Sequence, residues 1–163
     1  PRYSTLLLFT DRGYLRAEGF TSSVFEHVVL KGIGKLSKVD FNEVKRAIQA
    51  GILLKEANKS AFTFSEILKL HGVNGENGAM LTNWIHEIGH QIHFKAGSPY
   101  KPLFKTATSG STITRYAQQN HYEWHAEMFV AWLLDRKALA NWNEEITAYM
   151  DNLVNNAINK GNK

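Results

Sequence analysis

"NWIHEIGHQIHF", residues 83–94, holds three histidines and one glutamate within eight positions. Each imidazole carries two nitrogens that need partners, so crowding three of them demands a reason. The flanking apolar residues Met80, Leu81, Trp84, Ile85, Ile88 and Ile92 recur at helical spacing and predict one amphipathic helix over about 79–95. On such a helix His86 and His90, four apart, point the same way, one turn above each other. Two imidazoles so placed reach one divalent cation at about 2.0–2.1 Å. Glu87 sits beside the first of them, within reach of a water on that cation without being a ligand.

This is the H-E-x-x-H arrangement of zinc peptidases. The bland alternative is a helix with two exposed histidines. Gly89 lies between the two candidate ligands, and a glycine inside a helix costs about 1 kcal/mol. It is expected to have a packing reason, such as close approach of another element. His93 falls near the same face, but three imidazoles from consecutive turns of one straight helix converge poorly on a tetrahedral centre. It is expected to line the cleft or pack in the core.

A metal held by His86 and His90 needs a further ligand. The pattern H-E-x-x-H-x-x-G-x-x-H fails, because His93 stands at its glycine position and Ala96 at its last histidine. The other source is a carboxylate from a helix downstream, and "NHYEWHAE", 120–127, offers Glu123 and Glu127 four apart among Trp124, Ala126, Met128, Phe129, Val130 and Trp132. Carboxylates on an inward face need a cation or a donor. One metal ligand and one carboxylate holding a ligand imidazole would satisfy both. The competing reading has Glu123 merely capping its helix, three residues after Asn120, and Glu127 solvated.

"HEIGH" followed by "TRYAQQNHYEWHAEMF" resembles the lethal-factor-type zinc peptidases of the gluzincin group. Thr114, Tyr116, Asn120, Glu123, Ala126, Glu127 and Phe129 stand where that family's downstream motif has its marked positions. The likeness covers about residues 79–134. It implies a zincin-like α+β domain, with a small β-containing N-terminal lobe, a helical C-terminal lobe and the HExxH helix between them. It also implies zinc held by His86, His90 and Glu123, with Glu87 as general base, Glu127 orienting His86, and the Tyr116 hydroxyl in the cleft. The expected activity is that of an endopeptidase acting on a polypeptide substrate laid along an edge strand of the N-terminal sheet. Domains of this kind occur in toxins, secreted effectors and phage structural proteins, and a chain beginning at Pro1 is expected to be a released or excised piece of one.

Outward from this centre, "STLLLF" (4–9) and "GYLRAEGF" (13–20) read as strands of a hairpin, and 22–31 fits strand or helix. "DFNEVKRAIQAG" has helix grammar, with Asp40 as cap and Gly51 as stop, and "TFSEILKLHG" repeats it with Thr63 and Gly72. "HGVNGENG" (71–78) reads as a loop, Gly97-Ser98-Pro99 as the end of the histidine helix, and 98–111 as irregular. Helices are expected over 120–139 and 143–161, with a frayed tail. No linker divides the 163 residues, so residues 1–163 are read as a single domain.

There is no cysteine, which excludes disulfides, thiolate-bound zinc and a cysteine nucleophile. No apolar run is long enough to span a bilayer and no signal peptide is recognisable, so no membrane partner is expected. The net charge is +4, and eight Lys or Arg stand against four Asp or Glu between Lys31 and Lys69. A solvated basic face explains that excess more simply than nucleic acid, since no recognition motif accompanies it. The rival to a peptidase is an inactive module that keeps its zinc only to hold two helices together. Glu87 and Tyr116 argue against it, because metal holding needs neither.

Overall fold

The computed structural model describes residues 19–22, 25–30, 41–53, 64, 66–67, 75–100 and 113–161. Strand β1 (Gly19–Ser22) pairs antiparallel with β2 (Phe25–Leu30), with Gly19 opposite Leu30 and Phe20 opposite Val29, and a register irregularity follows Phe20. Helix α1 (Phe41–Leu53), helix α2 (Gly75–Lys95), a 3-10 turn η1 (Tyr116–Gln118), helix α3 (His121–Trp142) and helix α4 (Glu144–Gly161) follow.

The expected α+β architecture is overturned, since the described residues are mostly helical. Among the described residues the strands amount to one short ribbon rather than a lobe. A two-stranded ribbon is marginal alone in water, and this one lies on α2, where the Thr21 hydroxyl accepts a hydrogen bond from the Gln91 amide. Within the ambiguous stretch 22–31, Phe25–Leu30 form the second strand. Of the hairpin expected from 4–9 and 13–20 only Gly19 and Phe20 are described, in β1; the rest lies outside the described residues, as do Asp40 and most of "TFSEILKLHG".

The core is built around α3. Every side chain from Trp124 to Ala131 is buried, so this half is enclosed all round, with only His125 and Glu127 polar, which marks it as the central helix. Helices α1, α2 and α4 pack against it. Val44 and Ile48 of α1, Leu81 and Ile85 of α2, and Met150 and Leu153 of α4 close the core. Each such side chain contributes about 1.5–3 kcal/mol when fully buried. Trp84, placed by periodicity on the apolar stripe, is 41% exposed. It stands at the stripe's edge rather than its centre.

Local chemistry sets the helix ends. The Asn120 side chain accepts hydrogen bonds from the Tyr122 and Glu123 amides, both at 3.0 Å, and opens α3. Asn143 does the same for α4 through the Ile146 amide at 3.0 Å. Helix α2 ends in a Schellman turn: the Ser98 amide donates to the His93 carbonyl, the Gly97 amide to the Phe94 carbonyl, and Gly97 takes φ +100°. The Lys160 ammonium adds a 3.0 Å bond to the Ala96 carbonyl. Three boundaries differ from expectation. Helix α2 begins at Gly75, inside the expected loop, because a strong helix propagates upstream through a glycine at a cost of only about 1 kcal/mol. For the same reason α1 continues two residues past Gly51.

The third difference lies inside α3, which breaks at Asp135 (φ −154°, ψ 77°). The buried Asp135 carboxylate accepts from the Ala138 amide at 3.0 Å and from the Gln49 side chain of α1. It caps a second helical piece while binding α1 to it. Among the described residues no helix is long and apolar enough to cross a membrane.

Candidate metal centre

Helices α2 and α3 cross where α2 has no side chain. A Cβ built on Gly89 would stand 2.9 Å from Ala126 Cα and 3.1 Å from the Ala126 carbonyl oxygen. That is the close approach expected of this glycine. It brings the turns carrying His86 and His90 against the turns carrying Glu123 and Glu127.

The result is a convergent, buried donor set. His86 Nε2 lies 2.9 Å from Glu123 Oε2, and His90 Nε2 lies 3.3 Å from the same oxygen. The ligand atoms of His86, His90 and Glu123 all fall within 4.8 Å of one another, so the group could hold a metal ion. For bonds of about 2.0–2.1 Å in a tetrahedral shell, ligand atoms stand about 3.3 Å apart; the His90 separation matches that, and the His86 separation of 2.9 Å is the shorter one of a hydrogen bond. Glu123 is therefore no mere helix cap. Asn120 performs the capping, and the Glu123 carboxylate turns to the histidines.

His86 is held from its far side. Its Nδ1–H donates to Glu127 Oε1 at 2.8 Å, which leaves Nε2 facing the centre. The other Glu127 oxygen accepts from the buried Thr114 hydroxyl at 2.6 Å, and Thr114 Oγ1 in turn accepts from the Ala117 amide at 3.3 Å. The relay Thr114–Glu127–His86 thus runs from η1 to the donor set. Thr114 is a residue to which the sequence reading assigned no role. His90 Nδ1 is buried and has no hydrogen-bond partner among the described residues, so within them the two histidines are supported unequally.

The electrostatics favour a cation. Burial pushes the His86 imidazole towards neutrality, but hydrogen bonds and charge from Glu123 and Glu127 outweigh it and raise it to about 10. Burial pushes Glu123 up, and the two histidines outweigh it and bring it down to about 2. The two carboxylates that favour a proton on His86 would equally favour a cation, which would be bound with both imidazoles neutral.

Glu87 lies beside this set and outside it. Burial raises its carboxyl above the usual range, against the opposing pull of His86 and His90. Tyr116, on η1, puts its ring centroid 5.6 Å from that of His86, and its hydroxyl hydrogen-bonds Glu123. Burial raises that hydroxyl further still. All six residues singled out in the sequence, His86, Glu87, His90, Tyr116, Glu123 and Glu127, meet in one place.

His93 does not join them. It is fully buried, stacks on His125 with centroids 3.8 Å apart, and donates from Nε2 to the Pro99 carbonyl at 3.0 Å. His125 donates from Nδ1 to the His121 carbonyl and accepts at Nε2 from the Tyr149 hydroxyl at 2.6 Å. No protein-family profile, curated protein or solved structure matches the chain.

Proposed function

We propose that the chain is a zinc-dependent endopeptidase of the lethal-factor type. The observation that carries this reading is the convergence of His86, His90 and Glu123, with Glu127 on the far nitrogen of His86 and a half-buried glutamate, Glu87, left outside the ligand set. Two nitrogens and one carboxylate suit zinc and leave room for substrate, as catalytic zinc sites do.

Zinc bound there would acidify water and polarise the scissile carbonyl. The protein's own residues do the rest. His86 and His90 bind as neutral imidazoles, and Glu127 fixes the tautomer of the first. Glu87, raised by burial, is poised to take the proton of the attacking water at its carboxylate and to hand it to the amine as the C–N bond breaks. Tyr116 keeps its proton at all ordinary pH because burial raises its hydroxyl. It can therefore donate a hydrogen bond to the oxygen on which negative charge develops, exchanging Glu123 for substrate.

The test is Glu87→Gln. Under this reading the variant binds zinc as the wild type does and no longer hydrolyses a peptide library that the wild type cleaves. A zinc-loaded wild type that cleaves nothing across such a library would leave the inactive, zinc-stabilised module as the better account.

A further inference from the structure

A row of rings leads away from the metal centre. His90 faces Phe94, one turn on, with centroids 6.1 Å apart and planes within 14°. Phe94 meets Tyr122 at 6.1 Å, Tyr122 meets His121 at 3.9 Å, and His121 meets Tyr100 at 4.7 Å. Tyr100 is 52% exposed and Tyr122 41%, so the outer part of the row is open to solvent while its inner end is a candidate metal ligand. Phe94 follows Glu87 by seven residues, which places both on one side of α2, about 10.5 Å apart along its axis. The row therefore begins on the side of the helix from which Glu87 addresses the reacting bond.

We propose that Phe94, Tyr122, His121 and Tyr100 form a substrate subsite that takes an aromatic side chain close to the scissile bond. The proposal rests on the peptidase reading for its occupant. The occupant follows from chemistry and continuity. Tilted and edge-on rings present alternating faces and edges, to which another ring adds by stacking or by an edge-to-face contact. A basic side chain would also find ring faces here, but a divalent cation at the inner end repels it. A chain held with its carbonyl at the metal reaches the first ring of this row, Phe94, within about two or three residues, at about 3.3 Å per residue when extended.

The experiment uses zinc-loaded protein carrying Glu87→Gln, so that peptide is bound and not consumed. Blocked tripeptide amides with Phe, Arg or Ala at the centre, flanked by alanines, are titrated by calorimetry. The Phe peptide should bind about tenfold more tightly than the Ala peptide, matching about 1.4 kcal/mol of ring contact. Adding Tyr122→Ala or Tyr100→Ala, both at exposed positions, should abolish most of that difference with zinc content unchanged. Equal affinity for the Phe and Ala peptides, including no measurable binding of either, overturns the proposal. So does a preference for the Arg peptide, or a Phe preference that survives in both variants. A Phe preference in a wild type that cleaves nothing would sink the peptidase reading and leave the subsite standing. Cleavage with no aromatic preference would do the reverse.

Discussion

At the scale of single residues, the proposed reading assigns some groups to holding a metal and others to acting on substrate, and substitutions should separate them. Glu127→Gln keeps shape but presents an amide where both His86 Nδ1–H and the Thr114 hydroxyl need an acceptor. Metal affinity should fall by about 10–100-fold, read by competition with a chelator. Tyr116→Phe removes a hydroxyl that is not a ligand. It should leave zinc content and folding intact and lower kcat by about 10²–10³-fold. A kcat within a few-fold of wild type at matched zinc occupancy would remove Tyr116 from the mechanism. The His86–His90 and Glu123–Glu127 pairs were legible in the chain from helix periodicity, whereas the roles given to Glu127 and Tyr116 were implied only by the resemblance. The Thr114 contact was neither, since its partner comes from another element and its own position carries no periodic signal.

At the scale of elements, the crossing of α2 and α3 is the device that assembles the centre. Gly89→Ala would place a methyl against the backbone of Ala126, where no flexible side chain can give way. Overpacking of this kind costs about 1–3 kcal/mol, against about 1 kcal/mol of helix propensity gained. The larger effect should be on function, because parting the helices moves His86 and His90 away from Glu123. Metal affinity should drop more than thermal stability does, and normal zinc binding by Gly89→Ala would show the crossing to be less critical. A glycine flanked by two ligands was the readable sign of that crossing. The break at Asp135 had no comparable sign. A buried aspartate inside an apolar helix becomes a cap only because Gln49 arrives from α1, and no local pattern records an arrival from elsewhere. The β-containing lobe was over-read for a related reason. Apolar β-branched runs such as "VFEHVVL" fit a strand, but the number of strands that join them is decided by tertiary partners.

At the scale of the whole molecule, acid should find its weak point behind the candidate metal centre. Burial, opposed by the Pro99 carbonyl, holds His93 at about 4, and burial together with its neighbour His93 holds His125 at about 3. Both are neutral in the fold, whereas in the unfolded chain each takes a proton near 6.5. Unfolding therefore takes up protons in between, and stability is full above about 6.5 and is lost as pH falls towards the folded values. Glu123, held at about 2, begins its own loss only below 4.5. His86, raised to about 10, keeps its proton throughout and costs stability only on the alkaline side. In metal-free protein the urea midpoint should accordingly drop between pH 6.5 and 4.5, a window set by those values. His125→Phe, which keeps a ring in the stack, should flatten that slope, and an unchanged slope would clear the pair.

The bond from Lys160 to the Ala96 carbonyl ties the last turn of α4 to the end of the histidine helix across 64 residues of chain. Fraying at one end is thereby felt at the other. Amide hydrogen exchange at Gly97 and Ser98 should rise and fall with exchange at residues 158–161. Acetylating Lys160, which removes its charge, should quicken both, though only modestly for so exposed a contact.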